Sequence, residues 1–419
     1  MSAVPTSPES AVFDEEFVRA QFPAFSEPSL AGFAHLENAG GSYACGAVID
    51  RLTHFYRATK LQPYYPSAPS TAGGEAMDEA RTRWAAWLGV GEDELHFGPS
   101  TTQNTYVLAQ ALRGWLQAGD EVIVTNQDHE TNIGAFARLA DEGFTVREWS
   151  VNPETGELDE AGLDALLNQR TRVVAFTHCS NIVGSIHPAA RWCEKIRAIG
   201  ALSIVDGVSA APHGTPWLPD LGADVYLFSL YKVYGPHLGV MTMKRAWNER
   251  LPNQGHFFNA DKPTARFTPA GPDHAQIAAS AGVIDYFEAL DRHHHGVEAG
   301  DGAPQRVQAL LRHREQDLLE PMLNGLGALS GARIIGRREA HHRAPTVALS
   351  VPGHSARTLC EALAAEGIGT GYGNFYAHRL VEALGLEQDP GVLRCSLVHY
   401  NSHEEVDRLV KALERLLTG

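Results

Sequence analysis

The sequence predicts an α/β protein: a large, mostly parallel sheet domain followed by a smaller α/β C-terminal domain. Three observations carry this reading. Over residues 94–243, short apolar runs (ELHF, DEVIVT, TVREWSV, TRVVAFTH, ALSIVD, DVYLFS, LGVMTM) alternate with helix-like stretches, the pattern of strands joined by crossover helices. The chain has 419 residues, enough for two or three domains at roughly 150 residues each. A segment rich in glycine and small residues, GVEAGDGAPQRVQ at 296–308, marks a linker or domain edge, and a different, shorter pattern follows it.

The elements follow in order. After ELHF, residues 102–115 place Leu108, Leu112 and Trp115 at helical spacing, and Gly119-Asp120 closes that helix before a strand begins at Glu121. Beyond residue 308, ARIIG, PTVALSV and VLRCSLVHY read as strands and 355–366 as a helix. The last helix is the plainest. Ser402 and Glu405 form an S-x-x-E capping box, and Val406, Leu409, Val410, Leu413, Leu416 and Leu417 trace one apolar face.

Composition removes several classes of function. With 34 Lys+Arg against 50 Asp+Glu the formal charge is −16, which argues against a nucleic-acid partner because such binding is driven by cationic side chains. No run approaches the ~20 apolar residues of a membrane helix, and the start lacks a basic n-region and an apolar h-region, so a cytoplasmic protein is expected. Five scattered cysteines without CxxC fit reduced thiols. The 20 histidines include His293-His294-His295 and His341-His342, but these runs lack a HExxH or carboxylate pattern at ligand spacing, so no metal is expected.

Chemistry is expected at the carboxyl ends of the strands, where doubly wound sheets bind ligands. After ELHF, the stretch Gly98 to Asn104 opens a helix with small and hydroxylic residues, as phosphate sites do, although Ser and Thr are also ordinary caps. His129 follows DEVIVT, Asn181 follows VVAFTH, and Asp206 ends ALSIVD. A buried carboxylate there needs a partner unless it caps the next turn. DVYLFS ends in Ser229-Leu230-Tyr231-Lys232, where an apolar, partly cationic setting would lower the lysine pKa as an imine-forming amine requires; a plain turn lysine fits that position too. Together these residues suit one molecule with a phosphate, a stackable ring, a basic ring nitrogen and a carbonyl, and pyridoxal phosphate has all four.

The motifs HLENAGGS (35–42), GPSTTQN (98–104), QDHETN (127–132), HCSNIVGSIHP (178–188), VDGVSAAPH (205–213) and FSLYKVYGP (228–236) resemble, in order, those of class V aminotransferase-fold enzymes, most closely the cysteine desulfurase and selenocysteine lyase branch. The resemblance implies a fold type I pyridoxal-phosphate-dependent transferase with a seven-stranded-type sheet. It also implies a domain division: 1–30 packing on the small domain, 31–300 binding cofactor, and 301–419 forming the small domain. On the same ground Lys232 is the covalent anchor, Asp206 the partner of the pyridine nitrogen and His129 the ring-stacking imidazole. Thr101, Thr102 and Ser229 would hold the phosphate, with Asn181, Ser209 and Tyr231 also at the cofactor and Gly271 and Pro272 reaching a neighbouring site in a homodimer. Arg394 would pair with the substrate carboxylate, with Asn38, Phe375 and Tyr376 nearby.

Departures from the branch pattern bear on the reaction. Ser209 stands where desulfurases have Gln and Tyr231 where they have His, and the stretch GIGTGYGNFYAHRL at 367–380 lacks the sulfur-accepting cysteine, as an uncharacterised desulfurase-like subgroup does. Cys395 should face away from Arg394, and Cys179 and Cys360 read as core fillers. A persulfide mechanism is therefore not expected. The expected activity is that of a pyridoxal-phosphate enzyme on a small α-amino acid, a carbon-sulfur β-elimination lyase; aminotransferase, epimerase and a catalytically idle cofactor-binding partner protein are the alternatives.

Overall fold

The structure, a computed structural model, describes residues 12–297, 300–387 and 391–418. Residues 1–11 of the predicted N-terminal segment and 298–299 of the predicted linker lie outside the described residues. In chain order the strands are β1 (Ala34–His35), β2 (Leu95–Gly98), β3 (Glu121–Thr125), β4 (Thr145–Trp149), β5 (Thr171–Thr177), β6 (Leu202–Asp206), β7 (Val225–Ser229) and β8 (Gly239–Met243). They are followed by β9 (Arg333–Ile335), β10 (Thr346–Ser350), β11 (Ile368–Gly369), β12 (Gly371–Gly373) and β13 (Val392–Ser396).

Seven strands form the large sheet in the order β2-β8-β7-β6-β5-β3-β4. Neighbours from β7 to β4 pair in parallel, and β8 alone runs antiparallel to both β7 and β2. The carboxyl ends of β2, β3, β5, β6 and β7 therefore share one edge of the sheet. β3, β6 and β7 are buried throughout, which is why they read as continuous apolar runs rather than alternating ones. One face packs under the Ala68–Leu88 and His274–His295 helices, with Trp84, Phe228 and Tyr286 in the core; the other packs under Thr101–Trp115, with Leu108, Leu112 and Ile204.

The small domain pairs β12-β13-β10-β9 antiparallel, covered by the Ala303–Ala328, Ala356–Ala365 and His403–Thr418 helices. The capping box predicted there is formed: Glu405 N donates to Ser402 Oγ at 3.2 Å and Ser402 N to Glu405 Oε2 at 3.1 Å. Ser402→Ala is expected to cost about 1 kcal/mol, measured as a lower denaturant midpoint with unchanged slope.

Two expectations need correction. Of the two readings of this segment, linker or domain edge, the linker fails: Ala303 to Gln308 belong to a helix. Gly296 (φ 65°) ends the preceding helix in the left-handed region, Gly302 (φ 81°) turns the chain, and Pro304 sits in the first turn, where its missing N–H costs nothing. That helix serves both domains, because Val307 and Leu311 lie in the large core while Leu318, Met322 and Leu326 lie in the small one. Residues 34–36, assigned to the large domain, join the small one: β1 pairs in parallel with β11, and Ala34 and Leu36 are buried in the small core. The N-terminal helix Glu15–Ala20 packs at the seam, where Arg19 reaches Glu405 at 2.8 Å and Phe22 lies among Tyr234, Tyr286 and Tyr400. Among the described residues, no helix is long and apolar enough to cross a membrane.

Candidate active site

A cavity of about 300 Å³ opens at the carboxyl edge of the large sheet, and its lining includes Thr101, Thr102, His129, Asn181, Asp206, Ser209, Ser229, Tyr231 and Lys232. The strand order makes this meeting: Asp206 and Ser229 are the last residues of adjacent β6 and β7, Lys232 ends the turn after β7, and His129 caps the helix after β3. Residues more than a hundred positions apart are thus held on rigid strand ends.

Lys232 is buried, and no hydrogen bond joins its ammonium to another described residue. Burial first, then the Arg394 cation, pushes its pKa down to about 8, against the opposing pull of Asp206 and Glu37. Burial likewise lifts Asp206 to about 6, although the Val208 amide donates to its Oδ1 at 2.8 Å and Lys232 lies nearby. His129 is pushed down to about 3 by burial and by the Lys232 and Arg394 cations, so its imidazole is neutral, with Nδ1 accepting from Thr131 N at 3.0 Å. A lysine of lowered pKa, a carboxylate of raised pKa and a neutral aromatic ring therefore coexist in one cavity.

The Thr101 and Ser229 hydroxyls hydrogen bond at 2.7 Å beside the start of the Thr101–Trp115 helix, whose first amides have no partner inside the helix. Those amides and hydroxyls suit a phosphate, Asp206 suits a pyridinium, and Lys232 suits a carbonyl. Asn181 Oδ1 in the cavity wall is buried without a hydrogen-bond partner, as expected of a wall built around a bound molecule. The residues present fit pyridoxal phosphate.

Arg394, 3% exposed, is not part of the cavity lining but abuts it at Asn181. Its Nη1 donates to Asn181 O at 3.1 Å, and its guanidinium carbon sits 3.6 Å from the centre of the Phe375 ring. Tyr376 lies against His129, ring centres 5.0 Å apart, and Phe375 O accepts from Asn181 Nδ2 at 2.9 Å. The stretch 367–380, expected to present these residues as a loop, is partly ordered: β12 within it pairs with β13, placing Gly371 opposite Arg394.

The structure does not bring every expected residue here. Asn38 is 2% exposed and its amide is committed elsewhere, donating to His35 O and Ser396 O at 3.0 Å each and to Asn401 Oδ1 at 3.1 Å, and accepting from the Tyr400 hydroxyl. It ties β1 to the small domain and has nothing left for a substrate. Gly271 and Pro272 are exposed and line a second cavity of about 480 Å³, which shares Ser100 and His237 with the first; neither residue lines the first cavity. Conversely, three residues near the centre went unchosen. His237 stacks on Tyr231 (4.8 Å, 6°) and shares the cavity wall. Asp128, beside His129 in the same motif, is fully buried and pushed up to about 7 by burial, accepting from Asn132 Nδ2 at 2.6 Å and Thr177 N at 3.1 Å. Glu37, next to the chosen Asn38, pairs with Arg394. The motifs contained the last two, but only contact shows which of two neighbours faces inward.

The lysine's lowered pKa has a direct consequence. When cofactor-free protein is mixed with pyridoxal phosphate, the rate of attachment is expected to rise with pH through an apparent midpoint near 8 and to level off above it, because the neutral amine is the nucleophile. Stopped-flow absorbance measures this, and a midpoint near 10 would mean that Lys232 is solvated like a surface lysine.

The family model described as Aminotransferase class-V matches residues 34–296 and 304–409. An aminotransferase-like protein of Gibberella zeae is 37% identical over 97% of this chain and 100% of its own length. A cysteine desulfurase of Pectobacterium carotovorum is 30% identical over 96% and 97%. Among solved structures, a cysteine desulfurase from Thermococcus onnurineus NA1 superposes with a TM-score of 0.85 at 22% identity, covering 98% of this chain and 100% of its own, and so shares the fold. One from Escherichia coli gives 0.81 at 25% identity over 97% and 99%. The chain belongs to the class-V aminotransferase family and is a pyridoxal-phosphate-dependent enzyme.

Proposed function

We propose that the protein is a carbon-sulfur lyase that eliminates the β-substituent of a small α-amino acid without passing sulfur to a protein thiol. The observation that carries this is the state of the cysteines. Cys45, Cys179, Cys193 and Cys395 are buried, and Cys360 is half-buried with Sγ donating to Thr370 O at 3.1 Å. Cys179 alone of these lines the cavity, but burial pushes its thiol up to about 12, so no reactive thiolate stands at the site.

In this reading Thr101, Thr102 and Ser229 hold the cofactor phosphate, neutral His129 packs on the ring face, and Asp206 holds the ring nitrogen protonated. Asn181, Ser209 and Tyr231 line the remainder. Arg394 binds the α-carboxylate through its planar fork. Lys232, its pKa lowered to about 8, takes the proton from Cα and can deliver one back. The bound cofactor supplies an electron sink for the pair left at Cα. Phe375 and Tyr376 border this position from the small domain, Phe375 on the Arg394 guanidinium and Tyr376 on the His129 ring. The exposure of Gly271 and Pro272 supports a homodimer in which they reach the partner's site.

Products decide the reaction. With L-cysteine or cysteine sulfinate the expected outcome is pyruvate and a released sulfur species with no new amino acid. Alanine together with protein-bound sulfur would sink the proposal. Amino transfer is the second reading, prompted by the name of the Gibberella zeae relative; formation of a new amino acid only when a keto acid is added would establish it in place of the first.

A further inference from the structure

We propose that Glu37 is a resident carboxylate on the Arg394 fork, a specificity-determining residue that a substrate carboxylate must displace. Glu37 Oε2 accepts from Arg394 Nε at 3.3 Å, and Glu37 Oε1 accepts from Nη2. This is the edge of the guanidinium on which a carboxylate binds bidentately. Nη1 is turned to Asn181 O, and the Phe375 ring closes one face. An incoming carboxylate therefore meets an arginine whose charge is already answered.

The arrangement is built into the backbone. Glu37 sits two residues beyond β1 in a parallel bridge to Ser396, next to Arg394's own strand, which aims its side chain along that strand. Gly371 lies opposite Arg394, and a Cβ there would come within 2.7 Å of the Glu37 carboxylate and 2.9 Å of the Phe375 ring. The missing side chain at 371 is the slot that both groups fill. Phe375 has φ 50°, a strained value for an aromatic residue, and is held by the Asn181 amide on its carbonyl. Glu37 thus occupies the edge of Arg394 and Phe375 one face, and Glu37 must shift before the fork is free. Exchange of one carboxylate for another gains little electrostatically, so wild-type affinity for a bare α-carboxylate is weak and selection falls on the rest of the substrate.

The inference rests on the reading of Arg394 as the carboxylate site. It is tested on holoenzyme by titrating L-alanine and its carboxylate-free analogue ethylamine against the visible absorption of the bound cofactor. Glu37→Gln, neutral and of equal length, is expected to bind L-alanine roughly tenfold more tightly, the scale of one charge-assisted contact, with ethylamine unchanged. Glu37→Asp, which keeps the charge but is one methylene shorter, should shift in the same direction by less, and it carries the comparison if Glu37→Gln does not fold. Unchanged or weakened L-alanine binding, or an equal change for both amines, would overturn the inference. Propionate supplies an arm that needs no reaction at the cofactor: it should raise the thermal midpoint of Glu37→Gln holoenzyme and leave wild type unmoved. If neither amine perturbs the spectrum of any variant, the proposed function falls, while the role of Glu37 stands or falls on the propionate result alone.

Discussion

Lys232→Ala is expected to yield a folded, colourless protein that carries no covalently attached cofactor and has lost activity by roughly 10²–10⁴-fold from the missing base alone. No other described lysine lines the cavity to take its place. The fold should survive, because the ammonium makes no hydrogen bond to another described residue and its burial is unfavourable to the charged form. Circular dichroism and a denaturant midpoint within about 1 kcal/mol of wild type would separate a chemical loss from a structural one. A yellow variant that still turns over substrate would place the chemistry on another residue.

Asp206→Asn is expected to keep the visible band but lower kcat roughly 10²–10³-fold, the scale on which one preorganised electrostatic group acts. Asn retains an oxygen to accept from the Val208 amide, so the local turn should persist. What disappears is the negative charge at the end of β6. That charge also holds the Lys232 pKa up, so its removal should move the pH midpoint of cofactor attachment below about 8. A variant with unchanged kcat and an unmoved midpoint would mean that Asp206 serves only to cap the turn after β6.

Much of this site was legible as chemistry placed at strand ends. The runs ALSIVD and DVYLFS end in Asp206 and Ser229 because buried strands are apolar to their last residue and the ligand-facing residue follows at once. The C-terminal helix was legible down to its cap for a similar local reason, since Ser402 and Glu405 satisfy one another across three residues. Strands β11 and β12, of two and three residues, carry no periodicity to read and exist because β1 and β13 offer them partners. The segment 296–308 misled because glycine and proline mark a helix boundary and a linker alike.

The sequence by itself determined the α/β class, through alternating apolar runs, and the family and its cofactor, through motifs in a fixed order. Only the tertiary structure decided which neighbour of a motif faces the cavity. Asn38 turns its amide into the bond between β1 and the small domain, while Glu37, one position earlier, meets Arg394, which is 357 residues distant in the chain. The physical reason is that Glu37 is fixed by its bridge to Ser396 beside Arg394's strand whereas Asn38 already begins a turn, so the partner of each is set by a strand far away in the chain, information that no stretch of sequence contains.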